Sequence, residues 1–158
     1  MKNIILQDSK YQEQVIEYQF LSELMFSLSK HDKKLEIMRV HTDSFGYDLI
    51  LKVDQSVRFI QLKSRHIEAV TQYWDVHKSL LENPNGRVVV ILFNIKEDTI
   101  VLNYNFLPLQ EYQSSIQKPP RYKKDAYIHC EVSYSKLDKN KTINELSQWL
   151  FFDSNYLR

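Results

Sequence analysis

The sequence predicts an α/β fold, a mixed central β-sheet flanked by helices. Three observations predict it. Apolar residues recur at helical spacing near both ends of the chain. Short runs rich in β-branched and aromatic residues lie between them. One run, 88–93 within the strand 87–93, is continuously apolar, as a central strand covered on both faces requires. Helices interleaved with strands pack as layers around one sheet.

Each element has its own signature. Ile16, Phe20, Leu21, Leu24, Met25 and Leu28 give the i, i+4, i+5, i+8 pattern of an amphipathic helix over 9–30, with Asp8 or Ser9 as its N-cap. Residues 35–41 alternate loosely as a short strand, and a polar connector, 41–46, ends at one of the two glycines. Residues 47–53 and 57–63 read as a hairpin turning at Asp54, Gln55 and Ser56. Residues 67–81 return to helical spacing through Val70, Tyr73, Trp74, His77 and Leu81, so Tyr73 and Trp74 are expected in the core. Asn83-Pro84-Asn85-Gly86 stops that helix. Strands follow at 87–93 and 99–104, and Pro108, Pro119 and Pro120 punctuate an irregular stretch. A strand at 127–134 and a helix at 143–152 close the chain.

Composition bounds the function. The 158 residues suit a single domain, 1–158, and 43% apolar with 26% charged residues is ordinary globular usage. A net charge of +1 excludes attraction of the whole surface to nucleic acid or anionic lipid, so any such binding is local. Such a locality exists at 118–141, where seven basic residues face three acids. Its bland reading is a solvated face. The single cysteine, Cys130, excludes a disulfide framework and a thiolate zinc site, and suits a reducing cytoplasm. The longest aliphatic and aromatic run, 88–93, is far short of the roughly 20 residues that span a bilayer. Residues 1–10 carry too little apolar length for a secretory signal, so no membrane partner is expected. Two glycines cannot build a phosphate-cradling loop. His41, His66, His77 and His129 lack the spacing of a metal pair, and His129 and Cys130, adjacent on a strand, point to opposite faces.

Polar groups converge at one place. On the strand 57–63, Phe59, Gln61 and Lys63 share a face, with Ile60 and Leu62 on the other. A two-residue loop at Asp54 and Gln55 sets Asp48 opposite Gln61 on the same face, whereas a three-residue loop shifts the pairing. On the first helix Glu17 falls at about 100° within an apolar arc of about 180°, so a carboxylate faces the core and needs a cation or strong donors. Arg39, Arg58 or a tyrosine is an alternative partner for it. Glu13 shares that face nearer the frayed helix start and is the rival ligand. Glu17, Asp48 and the Gln61 amide oxygen form a hard-oxygen set suited to Mg²⁺, with the Lys63 ammonium beside it. Such an ion lowers the pKa of a bound water and neutralises charge on a phosphate, and Lys63 orients the water or stabilises the transition state. Arg65 and His66, just beyond, are placed to touch a phosphate backbone, as are Lys118, Arg121, Lys123 and Lys124 in the basic segment. Taken singly, Asp48 also reads as a turn end and Lys63 as a solvated lysine.

Glu17 on the first helix, Asp48 in Phe45-Gly46-Tyr47-Asp48-Leu49-Ile50-Leu51, and Gln61-Leu62-Lys63-Ser64 on the next strand resemble the PD-(D/E)XK nuclease superfamily in its variant with glutamine at the third position. Residues 17–94, roughly half the chain, also resemble a group of uncharacterised bacterial proteins with a Gly-Tyr-Asp-Leu strand followed by an Ile-Gln-Leu-Lys strand. The resemblance implies a restriction-endonuclease-like core and Mg²⁺-dependent hydrolysis of DNA, with Mn²⁺ able to substitute. It gives Glu17 and Asp48 as metal ligands, Gln61 in the place of the second carboxylate, and Lys63 as the catalytic lysine. Gln61 is neutral where many members carry an acid. That reduces metal affinity and leaves open a degenerate module that binds nucleic acid or a protein partner without cutting. Two-strand cleavage by so small a domain calls for a homodimer.

Overall fold

The computed structural model of the protein describes residues 2–42, 44–121 and 127–152. A short helix, α1 (Lys2–Gln7), leads into the long α2 (Ser9–Ser29). The Asp8 carboxylate starts α2 by accepting a hydrogen bond from the Tyr11 amide at 3.1 Å. Ile16, Phe20, Leu21, Leu24 and Leu28 are buried as the spacing predicts, whereas Met25 lies outside the core. Strand β1 (Glu36–Arg39) follows, and then the hairpin of β2 (Leu49–Val53) and β3 (Ser56–His66). Its loop has two residues, since Val53 pairs with Ser56 and Leu49 with Ile60. Asp54 supplies the turn by taking φ 53°, the left-handed conformation that primed hairpin turns need at their first central residue.

Strand β5 (Gly86–Lys96) lies parallel to β3 and antiparallel to β6 (Thr99–Phe106). β6 pairs with β8 (Asp138–Lys141) at the far edge. The sheet therefore runs β1-β2-β3-β5-β6-β8, six strands of mixed direction. One face is covered by α2 and the closing helix α5 (Ile143–Phe151), which bury Phe20, Leu24, Leu146 and Trp149 against Leu51, Ile60, Ile91 and Phe106. The chain is thus an α/β protein with a mixed central sheet flanked by helices. Among the described residues no helix is long and apolar enough to cross a membrane.

The predicted helix over 67–81 is corrected by the structure. Residues 73–77 form strand β4 (Tyr73–His77), paired antiparallel with β7 (His129–Ser133) in a separate two-stranded ribbon. Only α3 (Lys78–Glu82) is helical, capped by the His77 ring nitrogen accepting from the Ser79 amide at 3.2 Å. Trp74 and Val76 are buried while Asp75 is exposed, a period of two that a short apolar window does not distinguish from a helical one. The ribbon, α3 and α4 (Tyr112–Ile116) cover the second face of the sheet over Val88, Val90 and Leu92. β8 is another element that the pattern misses. Its residues, Asp-Lys-Asn-Lys, are polar throughout, and the Asn105 side chain helps to hold it by accepting from the Asn140 amide at 3.1 Å.

The site follows from a mismatch of lengths. β2 begins at Leu49, but β3 continues to His66 along β5, so beyond Ile60 the edge of β3 has no β2 partner. Asp48 closes that edge. Its amide donates to the Ile60 carbonyl at 2.8 Å, and its carboxylate accepts from the Leu62 amide at 2.9 Å.

Candidate active site

A cavity of about 320 Å³ opens at this notch between α2 and β3, with Glu13, Glu17, Asp48, Gln61, Lys63 and Trp74 in its wall. The hairpin register carries Asp48 beside Gln61, and the strand period carries Lys63 onto the same side two residues later. Gln61 is buried, and its side-chain oxygen accepts no hydrogen bond among the described residues. Lys63 is half-buried and makes no ion pair among the described residues. A buried acceptor without a donor costs about 1–3 kcal/mol, so its presence at this wall asks for something to meet it.

Glu17 reaches the cavity from the buried face of α2, half-buried, and is ion-paired with Arg39 of β1. The Arg39 guanidinium also lies 5.0 Å from the centre of the Tyr18 ring. Arginine is thus the partner of the core-facing carboxylate in this form of the protein. Glu13 is exposed at the rim of the same cavity. A second cavity, of about 340 Å³, shares the Glu17 and Asp48 wall and is completed by Arg39, His41, Thr42 and Tyr47. Sequence reasoning missed this second cavity. Its only signal was Gly46 standing between two aromatic residues just before Asp48.

Among the described residues no group of three or more His, Cys, Asp and Glu side chains comes together to hold a metal. The set that converges is smaller in charge, carboxylates supplemented by the Gln61 amide oxygen. It fits a hard divalent cation held by few protein oxygens, because the orphaned Gln61 oxygen is an acceptor on a residue that lines the same cavity as Asp48. Glu17, Asp48 and Gln61 are the residues that would hold such an ion.

The expected phosphate contacts are placed differently. Arg65 is buried, donates to the Ala69 carbonyl and lies 5.1 Å from the Tyr134 ring centre, so its charge serves the fold. His66 is half-buried, with its ring edge-on to Phe93 at 5.4 Å and its Nδ1 accepting from the Glu68 amide. Lys118 and Arg121 are exposed but stand 3.7 and 3.4 Å from Glu131, a buried carboxylate that they neutralise. Both also cover the Tyr73 ring, at 5.4 and 3.5 Å. Lys136 and Lys141 face acids, and Lys139 lies over Tyr134, so the basic segment spends its described charges internally. Lys123 and Lys124 lie outside the described residues. Burial of Cys130 in the second core pushes its thiol up to about 11, which suits a packing residue and not a nucleophile. No protein-family model matches the chain, and no curated protein matches it in sequence.

Proposed function

We propose that the protein is a metal-dependent nuclease of PD-(D/E)XK type, hydrolysing phosphodiester bonds of DNA in a reducing, cytoplasmic compartment. The observation that carries this reading is the buried, unpartnered Gln61 oxygen, set with Asp48 and Lys63 in one cavity that Glu17 also lines. A bound Mg²⁺ supplies charge neutralisation at the phosphate and acidifies water. Asp48 is fixed for its part by the Leu62 amide. Lys63, with no other partner among the described residues, donates to the phosphate or to the attacking water, and its ammonium meets the charge that grows on the phosphate oxygens. Gln61 holds its position through burial and offers a neutral oxygen where an acid would bind the ion more tightly.

The test is cleavage of linear, circular and branched DNA by the wild-type protein and Lys63→Ala, with Mg²⁺, with Mn²⁺ and with chelator. Metal-dependent cutting that is lost in the variant supports the reading. Absence of cutting by either protein in either metal overturns it. The ion pair of Glu17 with Arg39 favours the second reading, a degenerate module that keeps the cavity and only binds, because it satisfies the carboxylate without an ion. A large rise in thermal stability with Mg²⁺ separates the two, since only the nuclease takes up the ion in its native state.

A further inference from the structure

We propose that the shelf formed by Phe45 and Tyr47 stacks an unpaired nucleobase next to the phosphate that is cut, so that the substrate is a single strand or the single-stranded arm of a branched DNA. This deepens the nuclease reading and rests on it. Phe45 is 59% exposed. Its ring lies nearly parallel to Tyr47, at 16° and 6.3 Å between centres, and Tyr47 in turn meets Phe59 edge-on at 5.0 Å. Phe59 packs on the second core, so the shelf is backed by the interior of the protein.

The loop that carries the shelf is built to hold it. Gly46 takes φ 76°, and a Cβ at this position would lie 2.2 Å from the His77 Cβ, so only glycine lets the loop rest on β4. The Ser79 hydroxyl donates to the Phe45 carbonyl at 3.3 Å. Single exposed apolar residues are ordinary on protein surfaces. This one is set apart by its position. Tyr47 is also a wall of the second cavity, which in turn shares Asp48 and Glu17 with the first, so the shelf adjoins the second cavity through Tyr47. His41, and Arg39 if it exchanges Glu17 for a phosphate, give the intervening cavity groups suited to the sugar–phosphate backbone. A nucleobase inside a duplex has both faces covered by its neighbours, so only an unpaired base has a face free to cover Phe45.

The experiment measures fluorescence anisotropy of a labelled short oligothymidine and of a duplex of equal length, in chelator, with cleavage of flapped and fully paired DNA followed in parallel in Mg²⁺. The expected result is tighter binding of the oligothymidine, weakened about 5- to 150-fold by Phe45→Ala and restored by Phe45→Trp, with duplex binding unchanged. Equal binding of the two probes, or oligothymidine binding untouched by Phe45→Ala, overturns the shelf. Because the binding arm needs no catalysis, failure of the nuclease reading appears separately, as absence of cutting with the stacking preference intact. Cutting of paired and flapped DNA at equal rates by wild type and Phe45→Ala keeps the nuclease and removes the shelf.

Discussion

Replacing Gln61 by methionine separates the cost of an unsatisfied acceptor from the use made of it. The side chain is buried, its oxygen lacks a donor, and methionine occupies a similar volume without a group that needs one. Relief of the orphaned oxygen is worth about 1–3 kcal/mol. Imperfect repacking of the methionine takes back part of it, which puts the net gain near 1 kcal/mol, or about 2–4 °C in Tm for a chain of this size. With Mg²⁺ the order reverses. At a free concentration one hundred times its Kd, an ion bound only by the native state stabilises by about 2.7 kcal/mol, roughly 5–11 °C. The variant, short of one ligand oxygen, shows a smaller shift or none. Differential scanning calorimetry of both proteins, in chelator and across a Mg²⁺ series, reads the two effects in one experiment. A Gln61→Met protein that melts below wild type in chelator shows the amide to be structurally required and defeats the reasoning. So does an equal Mg²⁺ shift in both proteins.

Arg39→Gln frees Glu17. The pair is partly exposed, and such pairs are worth about 0.2–1 kcal/mol, so titration calorimetry is expected to show Mg²⁺ binding roughly 1.4- to 5-fold tighter with little change in Tm. Lys63→Ala is expected to cut DNA at least 100-fold more slowly, with a melting temperature close to wild type, since its ammonium supports no ion pair among the described residues. Alkaline pH should destabilise the fold. Burial pushes the Cys130 thiol up from 9.0 to about 11 and the Tyr112 hydroxyl, which donates to the Gly86 carbonyl, up from 10.0 to about 12. Both groups stay neutral in the native state where the unfolded chain already ionises. Their contribution is therefore complete below pH 9 and lost between pH 9 and 12, by up to about 1.4 kcal/mol per pH unit for each group. Denaturant melts across that range check it, and Cys130→Ala should flatten the first part of the fall.

How far the sequence could be read depended on whether local chemistry or tertiary pairing decided each element. The hairpin was legible because a strand register, once fixed at the turn, propagates by twos. Asp54 turned the chain in two residues despite lacking the usual Asn-Gly pair, and Asp48, Gln61 and Lys63 then fell on one wall with no further freedom. The carboxylate of Glu17 was legible for a similar reason, being fixed by helical angle against Ile16, Phe20 and Leu24. The stretch 67–81 was not, because Trp74 and Val76 are buried by pairing with β7, more than fifty residues away in the chain. Nor could the fate of the basic segment be read. Seven cations against three acids count as a surplus only until Glu131 is buried beneath Lys118 and Arg121 and Tyr73 is turned to meet them. The same pairing has a consequence for function. With Lys118 and Arg121 paired to the buried Glu131 and Arg65 turned to Ala69, the described cations that line the cavities are Lys63, which makes no ion pair among the described residues, and Arg39, which is paired with Glu17, so the expected backbone contacts at the notch are few and predict a shallow dependence of DNA binding on salt. Even two phosphate contacts, with Arg39 exchanging Glu17 for a phosphate, give a slope of log affinity against log salt of about −1.4 for a single strand. A slope several times steeper, measured with oligothymidine, would return the basic segment to the binding surface and displace the notch as its centre.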